Sequence, residues 1–180
     1  MNQKIFIDDQ NNIKVVQNFL SKPYFEDLQK ILMGYHMPWF FNENSLTDVN
    51  DNSFLFTHAI FYKEHGWVGT ELINNIIRPM LWNIKEHLNY STVSRIKANL
   101  TTNQNKQVVH PTHRDWKGTD EDKYKIAVFH VNTCNGFTKV KDKKIENVEN
   151  QLVIFNNVEH CYATATDCSS RVVINFNFIV

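Results

Sequence analysis

Val108-Val109-His110-Pro111-Thr112-His113-Arg114-Asp115-Trp116 is the stretch from which the rest of the chain can be read. Side chains alternate faces along an extended strand, so His113 and Asp115, two apart, point the same way and can hold one metal ion together. A third ligand must come from elsewhere. His160 is the best placed, because it follows the apolar run Leu152-Val153-Ile154-Phe155 after the turn-like Asn156-Asn157. Two imidazoles and one carboxylate on one face of a metal leave coordination positions open for a co-substrate and oxygen. His110 competes for the proximal position, but Pro111 places it ahead of the strand.

Working outward, the segment after residue 92 consists of short strands separated by turns. The strands are expected over Val93–Thr101, Gln107–His113, Tyr124–Asn132, Phe137–Val140, Leu152–Phe155, His160–Thr164 and Arg171–Val180. Turn chemistry lies between them, for example at Gly118–Asp122, Asn132–Gly136 and Asp142–Lys144. In the last strand Arg171, Val173, Asn175 and Asn177 share one face and Val172, Ile174, Phe176 and Phe178 the other. The apolar face should meet helices, which aims Arg171 at the interior. A buried guanidinium there needs an anionic partner, and a carboxylate matches its fork of donors.

Before residue 92 the pattern is more helical. Ile13–Leu20 reads as a strand, and Ser21-Lys22-Pro23 opens a helix carrying Tyr24, Leu28, Ile31 and Leu32, with Gly34 ending it. Met37–Phe41 breaks the pattern and 42–52 reads as a loop, followed by a buried strand over Phe54–Tyr62. Leu72, Ile76, Met80, Ile84 and Leu88 form the strongest helical stripe, which Pro79 should kink or break. This helix is expected to buttress a sheet. The sum is mainly β, a sandwich with helices packed on one sheet, organised as one domain over 1–180. Its helix-rich part is 1–92, and its core strands with the metal site are 93–180.

Composition bounds the function. Of 180 residues, 42% are hydrophobic and 21% charged, ordinary for a globular chain able to bury a core. Lys+Arg and Asp+Glu both number 19, so no basic excess supports a nucleic-acid partner. Cys134, Cys161 and Cys168 match neither a metal spacing nor a complete disulfide set, which points to a reducing cytoplasm. No apolar run reaches membrane-spanning length, so no membrane partner is expected.

His113-Arg114-Asp115, then His160, then Arg171, in this order and at these separations, resembles the 2-oxoglutarate and Fe(II)-dependent oxygenases of the prolyl 4-hydroxylase-like branch, including the short enzymes of phages and marine bacteria. Further segments are similar to that family. Ile126–Asn132 resembles its strand ending in a hydrophobic residue and Asn, Asn150–Phe155 the strand leading to the distal His, and Arg95–Leu100 the strand before the HxD motif. The resemblance implies a double-stranded β-helix (jelly-roll, cupin-like) core and a set of roles. His113, Asp115 and His160 would bind Fe(II), Arg171 would pair with the distal carboxylate of 2-oxoglutarate, and His130 and Asn99 would help to hold that co-substrate. Trp116 and Trp39 are candidate substrate walls. O2 is the implied oxidant and ascorbate an allowed reductant. The implied reaction is hydroxylation of an unactivated C–H of a peptidyl or free amino acid, in the cytoplasm of a bacterial or phage-infected cell. The presence of Asp115 separates the chain from halogenases, which lack that carboxylate. A departure from the family is the turn Asn135-Gly136-Phe137-Thr138, where relatives carry Gly-Gly-Thr. The rival readings are a cupin-like metal protein without 2-oxoglutarate and a non-catalytic binding module.

Overall fold

The computed structural model describes residues 2–44 and 53–180. Its elements are β1 (Lys4–Asp8), β2 (Ile13–Gln17), α1 (Lys22–Leu32), β3 (Phe40–Asn42), β4 (Leu55–Tyr62), β5 (Gly66–Trp67), α2 (Glu71–Ile77), α3 (Met80–Lys85), β6 (Thr92–Thr102), β7 (Tyr124–His130), β8 (Cys134–Val140), β9 (Lys143–Asn147), β10 (Gln151–Asn156), β11 (His160–Ala163) and β12 (Ser170–Ile179). Among the described residues the strands form a large sheet in the order β1-β2-β10-β7-β12-β6-β4-β3, with β5 on β4, and a small sheet in the order β11-β8-β9. Every pairing is antiparallel. The arrangement is a double-stranded β-helix, with helices packed on one face of the large sheet.

Period-two alternation decides which face each residue serves. Along β12, Val172, Ile174, Phe176 and Phe178 are fully buried in a cluster with Leu28 and Leu32 of α1, Ile73 and Ile77 of α2, and Met80 and Ile84 of α3. Along β7, Ala127 and Phe129 join that cluster, while Ile126 and Val128 face the small sheet with Val140, Ile145, Val153, Phe155 and Val173. Burial of these side chains on both faces makes the central strands continuous apolar runs. Pro79 interrupts the apolar stripe as expected, separating α2 from α3. Gly34 follows α1 because a Cβ there would lie 2.4 Å from the Lys30 carbonyl oxygen.

Several expectations need correction, among them the turn at Asn132–Gly136, since β8 already begins at Cys134. Residues 107–113 form no strand but only two isolated bridges, Val109 to Ala163 and His113 to His160. Pro111 between them has no N–H to continue the ladder. Lys143 and Lys144 lie in β9 rather than in a turn; Lys141, with φ 51°, makes the reversal one residue earlier. An N-terminal strand, β1, pairs with β2, and Phe40–Asn42 forms β3 on β4 rather than irregular chain. The rest of the expected 42–52 loop, from residue 45 onward, lies outside the described residues.

Candidate metal centre and co-substrate pocket

Three ligand atoms converge at one end of a cavity of about 320 Å³ between the sheets. Asp115 Oδ1 lies 3.6 Å from His113 Nε2 and 3.8 Å from His160 Nε2. One ion with ligand distances of about 2.0–2.2 Å can bridge such separations. The bridge from His113 to His160 brings the ligands together. The two residues exchange both backbone hydrogen bonds, His113 N to His160 O at 2.9 Å and His160 N to His113 O at 3.0 Å. Asn157 adds a second tie, accepting from Trp116 N at 3.2 Å and donating to Trp116 O at 2.9 Å.

Both imidazoles have their tautomer set by the backbone. Nδ1 of His113 faces the Pro111 carbonyl at 3.3 Å and Nδ1 of His160 faces the Val158 carbonyl at 2.8 Å. A carbonyl can only accept, so each Nδ1 carries the hydrogen and each Nε2 offers a lone pair to the cavity. Burial holds His160 below its usual pKa despite the opposing pull of Asp115, which keeps it neutral and able to ligate.

Asp115 divides its oxygens. Oδ1 faces the imidazoles, while Oδ2 accepts from Asn177 Nδ2 at 2.7 Å and Asn175 Nδ2 at 3.1 Å and lies 3.3 Å from Arg95 Nη2. Arg95 is oriented in turn, donating from Nε to Asn177 Oδ1 at 3.0 Å. Burial opposes ionisation of Asp115, but His113, Arg95, His160 and Asn177 outweigh it and hold the carboxyl well below the usual range. The carboxylate is therefore an anion with one oxygen tied back and one free to ligate.

At another part of the cavity wall Arg171 is 3% exposed. Its Nε donates to Asn147 Oδ1 and its Nη2 to Thr138 Oγ1, both at 2.9 Å, and its guanidinium carbon sits 5.8 Å from the Tyr162 ring. Among the described residues no carboxylate pairs with it. Burial pushes its pKa down to about 10. Gly136 makes room for the guanidinium stem: a Cβ there would come within 2.7 Å of Arg171 Cδ and 2.9 Å of the Ala163 carbonyl oxygen.

The donor set fits Fe(II), since mixed imidazole and carboxylate ligation with open positions suits that ion. Arg171 fits a carboxylate of 2-oxoglutarate, being a buried fork of donors with no anion of its own. The other expected positions divide. Asn99 lines the cavity, and its Oδ1 is a buried acceptor with no hydrogen bond. His130 does not line it: this fully buried ring lies behind Thr138, its Nε2 3.4 Å from Thr138 Oγ1, and burial together with Arg171 keeps it neutral. Thr138 lines the cavity instead. Trp116 stacks on Tyr124 with centroids 4.6 Å apart, and Trp39 packs against the helix-side core; neither is among the cavity's described walls. His110 lies outside the ligand cluster, stacked on Tyr162 with Ser53 Oγ at 3.1 Å from its Nδ1. Arg95, Lys97 and Thr138 were not anticipated. Alternation along β6, which puts Arg95, Lys97 and Asn99 on one face, was the signal available for two of them.

No family model matches the chain, and no curated protein does. Solved structures do. A Pseudomonas putida prolyl-4-hydroxylase aligns with TM-score 0.60 at 15% identity, over 93% of this chain and 91% of that one. The chain has the fold of prolyl 4-hydroxylase-like 2-oxoglutarate and Fe(II) oxygenases. A Trichoplax adhaerens prolyl hydroxylase in complex with a hypoxia inducible factor peptide fragment aligns with TM-score 0.64 at 14% identity, over 95% of this chain and 84% of that one. The epimerase SnoN, in complex with Fe3+, alpha ketoglutarate and nogalamycin RO, aligns with TM-score 0.63 at 10% identity, over 94% and 79%. Structures of similar fold thus hold a peptide fragment in one case and a small molecule in the other, and fold alone does not choose between them for this chain.

Proposed function

We propose that this protein is an Fe(II)- and 2-oxoglutarate-dependent dioxygenase that hydroxylates an unactivated C–H bond of a peptidyl or free amino acid. One observation carries the reading. The two Nε2 atoms and Asp115 Oδ1 converge at a cavity whose wall also holds Arg171, a buried cation without an anion. A structural histidine cluster would not need that arginine, and a plain anion site would not need two imidazoles with their Nε2 atoms turned inward.

Bound iron and 2-oxoglutarate would supply the oxidising chemistry; the chain's own task is positioning. His113, Asp115 and His160 would hold the metal, and Asn175, Asn177 and Arg95 keep Asp115 ionised with one oxygen free. Arg171 fixes the far carboxylate of the co-substrate, supported by Asn147 and Thr138, which set the plane of the guanidinium. Asn99, with its unfilled acceptor, belongs to the same wall.

Anaerobic addition of Fe(II) and then 2-oxoglutarate to the metal-free protein tests this, read by the visible metal-to-ligand charge-transfer band. The wild type should develop the band and His160→Ala should not. Arg171→Met should bind iron but require about a hundredfold more 2-oxoglutarate, as expected for the loss of a buried charge-assisted pair. A folded wild type that binds iron yet never gives the band would sink the reading.

A further inference from the structure

With iron and a dianionic co-substrate assigned, one cation of the cavity wall, Lys97, is left without a partner among the described residues. The cavity's described walls include Arg95, Lys97, Arg114, Lys117 and Arg171 but only one carboxylate, Asp115. Arg95 is committed to Asp115 and Arg114 to Glu121. Arg171 answers to the co-substrate. Lys97 has no hydrogen bond or ion pair among the described residues, although it stands half-buried on the central strand β6.

Only Asp115 offsets the charge of Lys97, and it does so less than burial and Arg95 oppose it. The cross-strand neighbours of Lys97 are Asn175 on β12 and Ala59 on β4, neither charged, and the Asn175 amide already donates to Asp115. Two residues along the same face stands Arg95, a like charge. Burial, then Arg95, push the ammonium down to about 8 against a smaller opposing pull from Asp115. An apolar side chain would fit this wall at less expense, so an unpaired ammonium here breaks a rule of good packing at a place where a ligand would repair it.

Lys97 and Arg171 stand at different levels of the cavity wall. Arg171 is in register with Thr101 on β6, four residues beyond Lys97, a separation of about 13 Å along the strand. Lys97 instead stands level with Asn175, on the row next to the metal ligands.

We propose that Lys97 receives a carboxylate of the molecule being oxidised, so that the substrate is a free amino acid or the C-terminal residue of a peptide rather than an internal residue. A single ammonium matches a carboxylate's single charge. A phosphate monoester would ask for a second cation, and Arg95 is engaged. The inference rests on the oxygenase reading above and narrows its substrate class.

The test uses wild-type protein loaded anaerobically with Fe(II) and 2-oxoglutarate. The probes are the twenty free L-amino acids, their C-terminal amides, and the Ala-Xaa dipeptides with free C-termini. Binding is read from perturbation of the charge-transfer band and from the thermal midpoint. At least one free acid or dipeptide should bind about tenfold to a hundredfold more tightly than its amide, the range for a charge-assisted hydrogen bond. Preference for the free acids identifies a metabolite, and preference for the dipeptides a peptide end. Lys97→Met should erase the difference between acid and amide while keeping the band, and Lys97→Arg should recover part of it. Amides binding as well as acids, no probe binding at all, or a preference that survives Lys97→Met would each overturn the proposal. A wild type without the band fails at the earlier reading instead, so the two failures are distinct.

Discussion

Gly136 shows how much one missing methyl group can decide. Its place against Arg171 Cδ and the Ala163 carbonyl leaves no room for a Cβ, so Gly136→Ala must displace either the guanidinium stem or backbone. Overpacking of this kind costs about 1–3 kcal/mol. The variant should therefore keep its iron affinity while losing about tenfold or more in 2-oxoglutarate affinity, measured by titrating the charge-transfer band. Lys97 yields a second prediction at this scale. Its ammonium titrates near 8 in the folded chain against an ordinary 10.5, so between those values the unfolded chain holds more protons and stability rises with pH. Below pH 8 the full penalty is present. Lys97→Met should then be more stable than wild type by roughly 1–2 kcal/mol at pH 7 in urea unfolding, with the gap closing toward pH 10.5. The metal residues were legible because an HxD spacing constrains geometry by itself, and Arg171 because alternation along β12 aimed it inward. Lys97 and Arg95 were not, because a basic residue on a strand reads as solvated until the sheet's other face is known to be covered. For His130 the sequence gives the strand, but not a depth that distinguishes touching the cavity from lying behind Thr138.

At the level of elements, the segment carrying His113 and Asp115 is held by very little regular structure. Pro111 prevents a ladder, so the geometry depends on the backbone exchange between His113 and His160 and on the Asn157 amide bracketing Trp116. That dependence was hidden in the sequence, where Asn156-Asn157 signals only a turn. It makes Asn157→Ala informative. Loss of both bonds leaves the Trp116 backbone N–H and carbonyl to find other partners, at about 1–3 kcal/mol where they stay buried. Asp115, one residue away, should lose its fixed distance from the histidines. Iron affinity is expected to fall about tenfold to a hundredfold, as for other groups that orient metal ligands, with the sheet core intact by far-UV circular dichroism. An unchanged affinity would show that the His113–His160 bridge suffices. The helices and central strands were read correctly because long apolar periodicities resist local exceptions. The edge strands β1 and β3 were missed because pairing at a sheet's margin depends on which neighbour the fold delivers, not on the strand's own pattern.

For the whole molecule, the site concentrates unfavourable groups in one cavity: a buried arginine without an anion and a half-buried lysine without a partner. Each is a burden on the ligand-free fold that a ligand can relieve, so stability and occupancy should be tightly linked. A ligand that binds only the folded state at a hundred times its Kd adds about 2.7 kcal/mol. For a chain of this size each kcal/mol moves the midpoint by about 2–4 °C. Anaerobic Fe(II), or Mn(II) as a redox-inert substitute, should thus raise the melting temperature by about 5–10 °C, and 2-oxoglutarate should add a second increment only when metal is present. The variants separate the two sources. His160→Ala should lose both increments, and Arg171→Met should keep the first and lose the second. A 2-oxoglutarate increment that persists in Arg171→Met would mean that the co-substrate's far carboxylate is held elsewhere on the wall. Lys97 would then be the next cation to test, and the division of labour argued between it and Arg171 would have to be reversed.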